Sequence, residues 1–135
     1  MGGIPLWRLF IHDWSKFSTV ERRGYTKVFF QKGHVAYDAD IRAARKHHHA
    51  HNPHHRHFWE KDGEPIPMPE TYVREMVVDW IAAERAYGKG TRDITPWLAK
   101  EYPTMNLHPV TWERLHGVLA EVGVDVGGLR RQRKI

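Results

Sequence analysis

Residues 69–88 read PETYVREMVVDWIAAERAYG. Val73, Met76, Val77, Trp80 and Ile81 recur at steps of three and four, the spacing that gathers apolar side chains on one stripe of a helix. A half-buried strand would place them at every second position instead. Pro69 suits a helix start, because the N–H it lacks would have no intrahelical partner there. Gly88 lies just past the last periodic residue, where helices commonly stop. The stretch predicts the clearest helix in the chain, and the same period continues on both sides of it.

Downstream, Thr95-Pro96 predicts the cap and first turn of a short helix. A last helix is expected from Pro109 to about Val122, with Trp112, Leu115, Leu119 and Val122 on one face and Gly123 closing it. Upstream, residues 60–68 (EKDGEPIPM) form a turn-rich loop. Before that loop, Ile41, Ala44 and His48 share a face of a helix running from Asp38 to about His51. Asn52-Pro53 stops it, because the residue before a proline avoids the helical region. Ser18 and Glu21 have capping-box spacing and open a helix carrying Tyr25, Val28 and Phe29 that ends near Gly33. Leu6, Leu9 and Phe10, continued by Asp13 and Phe17, mark a first helix over residues 5–16. Period-2 strand patterns, Gly-rich phosphate loops and internal repeats are absent from the sequence. The expected fold is all-α: a single-domain bundle of five or six helices over residues 1–125, followed by a basic, flexible tail at 126–135.

The chain has 135 residues, 41% of them hydrophobic, with six tryptophans. That is enough to bury a core without a disulfide or a structural metal. It contains no cysteine, which excludes a disulfide scaffold, thiolate zinc sites and a cysteine nucleophile. Any transition-metal site must therefore use histidine nitrogen and carboxylate oxygen. The apolar runs are too short for a membrane span, and MGGIPLWRLF lacks the basic and long apolar regions of a signal peptide. A soluble cytoplasmic protein without membrane contact is expected. The net charge is +5, with Arg130, Arg131, Arg133 and Lys134 in the tail. That excess favours phosphates, either of nucleotides or of nucleic acid; a solvated terminus is the plainer reading.

Three polar groups stand out against a plain bundle. His12 and Asp13 are adjacent on the first expected helix, with Lys16 one turn on; they suit either an ion site or a surface ion pair. Residues 47–57, HHHAHNPHHRH, hold seven of the eleven histidines. His47 and His51 are four apart and could chelate one ion, His48 faces the core, and His54-His55 begin a new segment after Pro53. A polar, partly protonated patch would have the same composition. Asp79 sits at the edge of the apolar stripe, with Glu75 one turn before it. An acid in that position needs a metal or a cation such as Arg42 or Arg45. Taken together, the three groups supply nitrogen and carboxylate ligands from separate helices, the way helical bundles build metal sites. Such a set suits one or two divalent ions of Mn, Fe, Zn, Co or Ni.

The order His-Asp, downstream histidines, final Asp resembles the HD-domain superfamily of metal-dependent phosphohydrolases. HDWSK at residues 12–16 is similar to the HD-x-x-K form of two-metal members, including cyclic-dinucleotide phosphodiesterases of the HD-GYP type. The chain resembles still more closely a small uncharacterised family of phages and bacteria. That family carries PLW…HDxSKF, HH…NPHHW, MPxxYVxEMVxDW and LHPxT. The matching positions here are Pro5-Leu6-Trp7, His12 to Phe17, His47-His48, Asn52 to His55, Met68 to Trp80 and Leu107 to Thr111, spanning roughly residues 3–115.

The resemblance implies that His12 and Asp13 are metal ligands, with Asp13 bridging two ions. It makes His48 or His47 the next ligand, His54 and His55 the downstream pair, and Asp79 the closing ligand. Lys16 would contact substrate phosphate, and His49, His51 and His57 fall outside the site. The sequence departs from the pattern at two points. HD enzymes take a first histidine from upstream of the HD pair, and no histidine precedes His12. Arg56 stands where relatives have tryptophan.

The reaction this implies is hydrolysis of a nucleotide or other phosphate ester by a metal-activated hydroxide, with Asp13 and Lys16 as the catalytic residues. Two alternatives stay open. One is a di-iron oxygenase on the same fold. The other is a non-enzymatic phage-type protein that binds nucleic acid or protein and keeps a vestigial metal site.

Overall fold

A computed structural model describes residues 35–133. The helices expected over residues 5–16 and 18–33 lie outside them. The described residues are all-α apart from one small hairpin. They form two compact units, one ending at Phe58 and one beginning at Trp59. No helix among the described residues is long and apolar enough to cross a membrane.

The described part of the first unit is helix α1, Val35–His51, and the turns that follow it. Ala44 and His48 face inward, and Ile41 is half-buried on the same side, as the spacing predicts. Asn52 ends the helix, its N–H donating to the His48 carbonyl at 3.1 Å. The chain then folds back in steps. The His55 N–H donates to the Asn52 carbonyl and the Phe58 N–H to the His55 carbonyl, each at 3.0 Å. Arg56–Trp59 form a 3-10 turn.

The second unit opens with strands β1 (Glu60–Lys61) and β2 (Glu64–Pro65), antiparallel in the register Glu60↔Pro65, Lys61↔Glu64. Asp62 and Gly63, which join them, both have positive φ (53° and 82°). A two-residue type I′ turn requires that, and Asp-Gly favours it. Two-residue arms are too short to produce an alternating pattern, so only the turn was visible in the sequence. Helix α2, Glu70–Tyr87, follows with Pro69 and Gly88 at its ends, both as predicted. Val73, Met76 and Val77 are fully buried, with Trp80 and Ile81 packed at the edge of the core.

Helix α3, Thr95–Glu101, is capped one residue earlier than expected, at Ile94. Asp93 does the capping work, its Oδ1 accepting the Thr95 N–H at 2.9 Å. After a 3-10 turn at Tyr102–Thr104, α4 spans Pro109–Glu121. The His108 ring Nδ1 accepts the Val110 N–H at its start, at 3.2 Å. Gly123 ends it with φ of 85°, a left-handed conformation that glycine adopts without a Cβ clash.

Helices α2 and α4 pack against each other. Their shared core includes Met68, Val73, Met76, Val77, Leu98, Tyr102, Trp112, Leu115 and Leu119. Two long-range hydrogen bonds set their relative position. Thr111 Oγ1 accepts the Met68 N–H at 2.9 Å, and Arg114 donates to the Met68 carbonyl at 2.8 Å. At the surface, Arg74 bridges Glu70 and Glu121, linking the two helices again.

The segment expected as a basic tail is helical over Val126–Arg133, here α5. Asp125 Oδ1 accepts the Gly128 N–H near its start, and Leu129 is buried. Arg130 donates to His116 Nδ1 at 2.7 Å. Arginine has no acceptor, so Nδ1 accepts and the neutral ring keeps its hydrogen on Nε2. That hydrogen points to the Tyr102 hydroxyl, 2.7 Å away. The terminal helix is thus tied to α4 and to the turn before it.

Candidate metal centre

The end of α1 and the turn after it bring three histidines together. His48 is on the last turn of the helix, and His54 and His55 follow the break at Asn52-Pro53. One ring nitrogen from each lies within 4.8 Å of the other two. The His48 and His55 rings meet edge to face with centroids 4.6 Å apart, and those of His54 and His55 are 4.2 Å apart. His48 and His54 are buried, and His55 is largely so.

The donor chemistry suits a divalent ion. Neutral imidazole nitrogen is a borderline ligand for Zn, Fe, Co and Ni. A tetrahedral ion with metal–nitrogen bonds of about 2.05 Å needs its donors roughly 3.3 Å apart. The set would draw in by at most about 1.5 Å per pair, which is within reach of side-chain rotation. His55 Nε2 supplies a second indication: it is buried and has no hydrogen-bond partner. A buried polar nitrogen left so is costly unless something else occupies its lone pair.

Burial and neighbouring basic groups keep two rings of this stretch neutral. Burial, and then the neighbouring His54, His48, His49 and His57, push the His55 pKa down to about 2. Burial, and then His57, His48, Arg45 and Arg56, lower that of His49 to about 4. Both rings therefore stay neutral at physiological pH, the form that ligates metal.

The sign of the consequence for stability is fixed. Below pH 6.5 the unfolded chain takes up protons that these folded rings refuse, so the metal-free fold loses stability as pH falls from 6.5. His55 alone accounts for up to about 1.4 kcal/mol per pH unit. In chelator, the denaturant midpoint is expected to fall steadily between pH 7 and pH 5. A midpoint that holds or rises on acidification would contradict the buried, neutral state of these rings.

Asn52 packs against His48. Its side-chain amide donates to the His48 carbonyl at 2.7 Å and lies 3.1 Å from His48 Nδ1. In the sequence Asn52 served only as a helix stop. The clue to its second role is its place four residues after His48, on the same helical face.

His47, an expected ligand, is not among the converging three. Its ring stacks on His51 at 4.0 Å, and His51 Nδ1 donates to the His47 carbonyl at 2.8 Å. His49 and His57, expected as bystanders, stack in parallel with centroids 4.5 Å apart, and His49 also touches His55 at 4.6 Å. Asp79 belongs to the second unit, half-buried on α2 one turn after the buried Glu75. His12, Asp13 and Lys16 lie outside the described residues.

Two comparisons with known proteins are negative: no curated protein and no solved structure matches the chain. A third finds a match over residues 1–121, to a model described as "Family of unknown function (DUF5662)".

Proposed function

The chain belongs to this family of unknown function, so its own side chains have to carry the functional reading: we propose that it is a metal-dependent phosphohydrolase of the HD type, acting on a nucleotide or another phosphate ester. The observation that carries the proposal is the convergence of His48, His54 and His55, with the buried His55 Nε2 awaiting a partner. A bound divalent ion would there activate water and draw charge from a phosphoryl oxygen.

The protein's own contribution is to hold the donors. Helix α1 fixes His48, Asn52 orients it, and the reversal at Asn52-Pro53 returns His54 and His55 to the same point. Motif order assigns His12, Asp13 and Asp79 as the remaining ligands and Lys16 as the contact to substrate phosphate. The absence of cysteine agrees with a nitrogen and oxygen donor set.

The test is an assay of the full chain, reconstituted in turn with Mn, Fe, Zn, Co and Ni, against a panel of nucleotides and cyclic dinucleotides. Hydrolysis is expected with at least one ion. Asp13→Ala and Asp79→Ala are each expected to lower kcat/KM by about 100-fold or more. Activity that survives both substitutions would refute the assignment.

A further inference from the structure

Residues 41–58 contain Arg42, Arg45, Lys46 and Arg56, seven histidines and no acid. Arg42, Arg45, Lys46 and His49 are spaced i, i+3, i+4, i+7, which aligns them along one face of α1. Ala44 and His48 occupy the buried face. The basic face is not a flat surface. Arg42, Arg45, Lys46, His49, Ala50 and His57 line an open depression of about 410 Å³, large enough to seat a small anion.

The stacked His49 and His57 rings form one wall of this depression. The same His49 ring lies 4.6 Å from His55, so the depression adjoins the histidine cluster. Among the described residues, Arg42, Arg45 and Lys46 make no ion pair. Three uncompensated cations around a concave space call for an anion carrying several charges. Guanidinium groups match phosphate oxygens through paired N–H donors, and a lysine adds a point charge.

We propose that this pocket binds the phosphate chain of a nucleoside di- or triphosphate, held by Arg42, Arg45 and Lys46 beside the His48–His54–His55 cluster. Placing a substrate there rests on the phosphohydrolase reading above. The binding of the chain itself does not require the ion. The pocket narrows the substrate class from phosphate esters in general to those with linked phosphates. It also gives the basic face of α1 a role that motif order did not assign.

The probe is inorganic tripolyphosphate, titrated calorimetrically into the full-length, chelator-treated protein in phosphate-free buffer. Saturable one-to-one binding is expected, with orthophosphate markedly weaker. Arg45→Ala and Lys46→Ala are each expected to weaken it about tenfold or more. Arg45→Lys should recover part of the loss. All are exposed positions, and circular dichroism of each variant checks the fold.

His55→Ala is expected to leave tripolyphosphate binding intact while metal binding is lost. No saturable binding, or equal weakening by Lys89→Ala in the second unit, would overturn the proposal. So would a single-stranded oligonucleotide that binds more tightly per phosphate and loses as much in the same variants, since that would mark a nucleic-acid surface. Metal uptake without tripolyphosphate binding would sink this inference alone. Tripolyphosphate binding without metal uptake would sink the metal-centre reading alone.

Discussion

His55→Ala is expected to weaken binding of the preferred divalent ion by at least about 100-fold and to leave the metal-free fold intact. Both halves follow from one observation. His55 Nε2 is buried without a hydrogen-bond partner, and its ring is kept neutral by burial and by the neighbouring imidazoles. Removing that ring takes away one of the three converging histidine donors and also removes a buried nitrogen that makes no hydrogen bond. With an ion at 100 times its dissociation constant, the wild-type chain gains about 2.7 kcal/mol of stability by linkage. The variant should show almost none of that gain. Elemental analysis of the dialysed protein and thermal melts with and without the ion measure the two effects. An alanine variant that keeps stoichiometric metal would exclude His55 as a ligand. One that unfolds without metal would make its role structural.

Leu115→Ala should destabilise the chain by about 3 kcal/mol, within the range for buried leucines. Leu115 is fully buried on α4, in the core that α4 shares with α2. Truncation removes the transfer energy of the lost methyl groups and leaves a cavity that two helices pinned at Met68 cannot readily close. The Thr111 and Arg114 hydrogen bonds to the Met68 backbone hold that pinning. A fall in Tm of roughly 10 °C is expected, read by calorimetry on the metal-free protein. A shift of under about 1 kcal/mol would mean that the helices can collapse into the gap.

The helices of the second unit were legible because each carries its own signal. The α2 stripe lies within eighteen residues, and Pro69 and Gly88 mark its ends chemically. Pro109 and Gly123 do the same for α4. The terminal helix was missed for the same reason. With Gly127-Gly128 at its start and arginines through the rest, its local propensity reads as tail, and burial of Leu129 with the Arg130–His116 bond overrides that. Among the tail cations, Arg130 is therefore engaged within the fold.

The histidine cluster that could hold a metal ion was legible in kind but not in membership. Seven histidines in eleven residues announce a ligand-rich stretch, and the pattern of pairs pointed to His47 or His48 together with His54 and His55. Choosing among them required the path of the chain. Residues 52–59 reverse direction through successive turns, which sets His54 and His55 against His48 and leaves His47 to stack on His51. The same reversal turns His57 back onto His49 and makes a wall of two rings that looked incidental.

The sequence by itself determined the all-α class, the main helix limits of the second unit and the exclusion of thiolate chemistry. These depend on periodicity, on end-residue chemistry and on composition, all of which reside in one segment at a time. The tertiary structure alone decided which three histidines converge, that Asn52 packs on one of them, and that the basic face of α1 borders an open depression. Convergence depends on the angles at which turns redirect the chain, and no residue spacing within a single element encodes those angles.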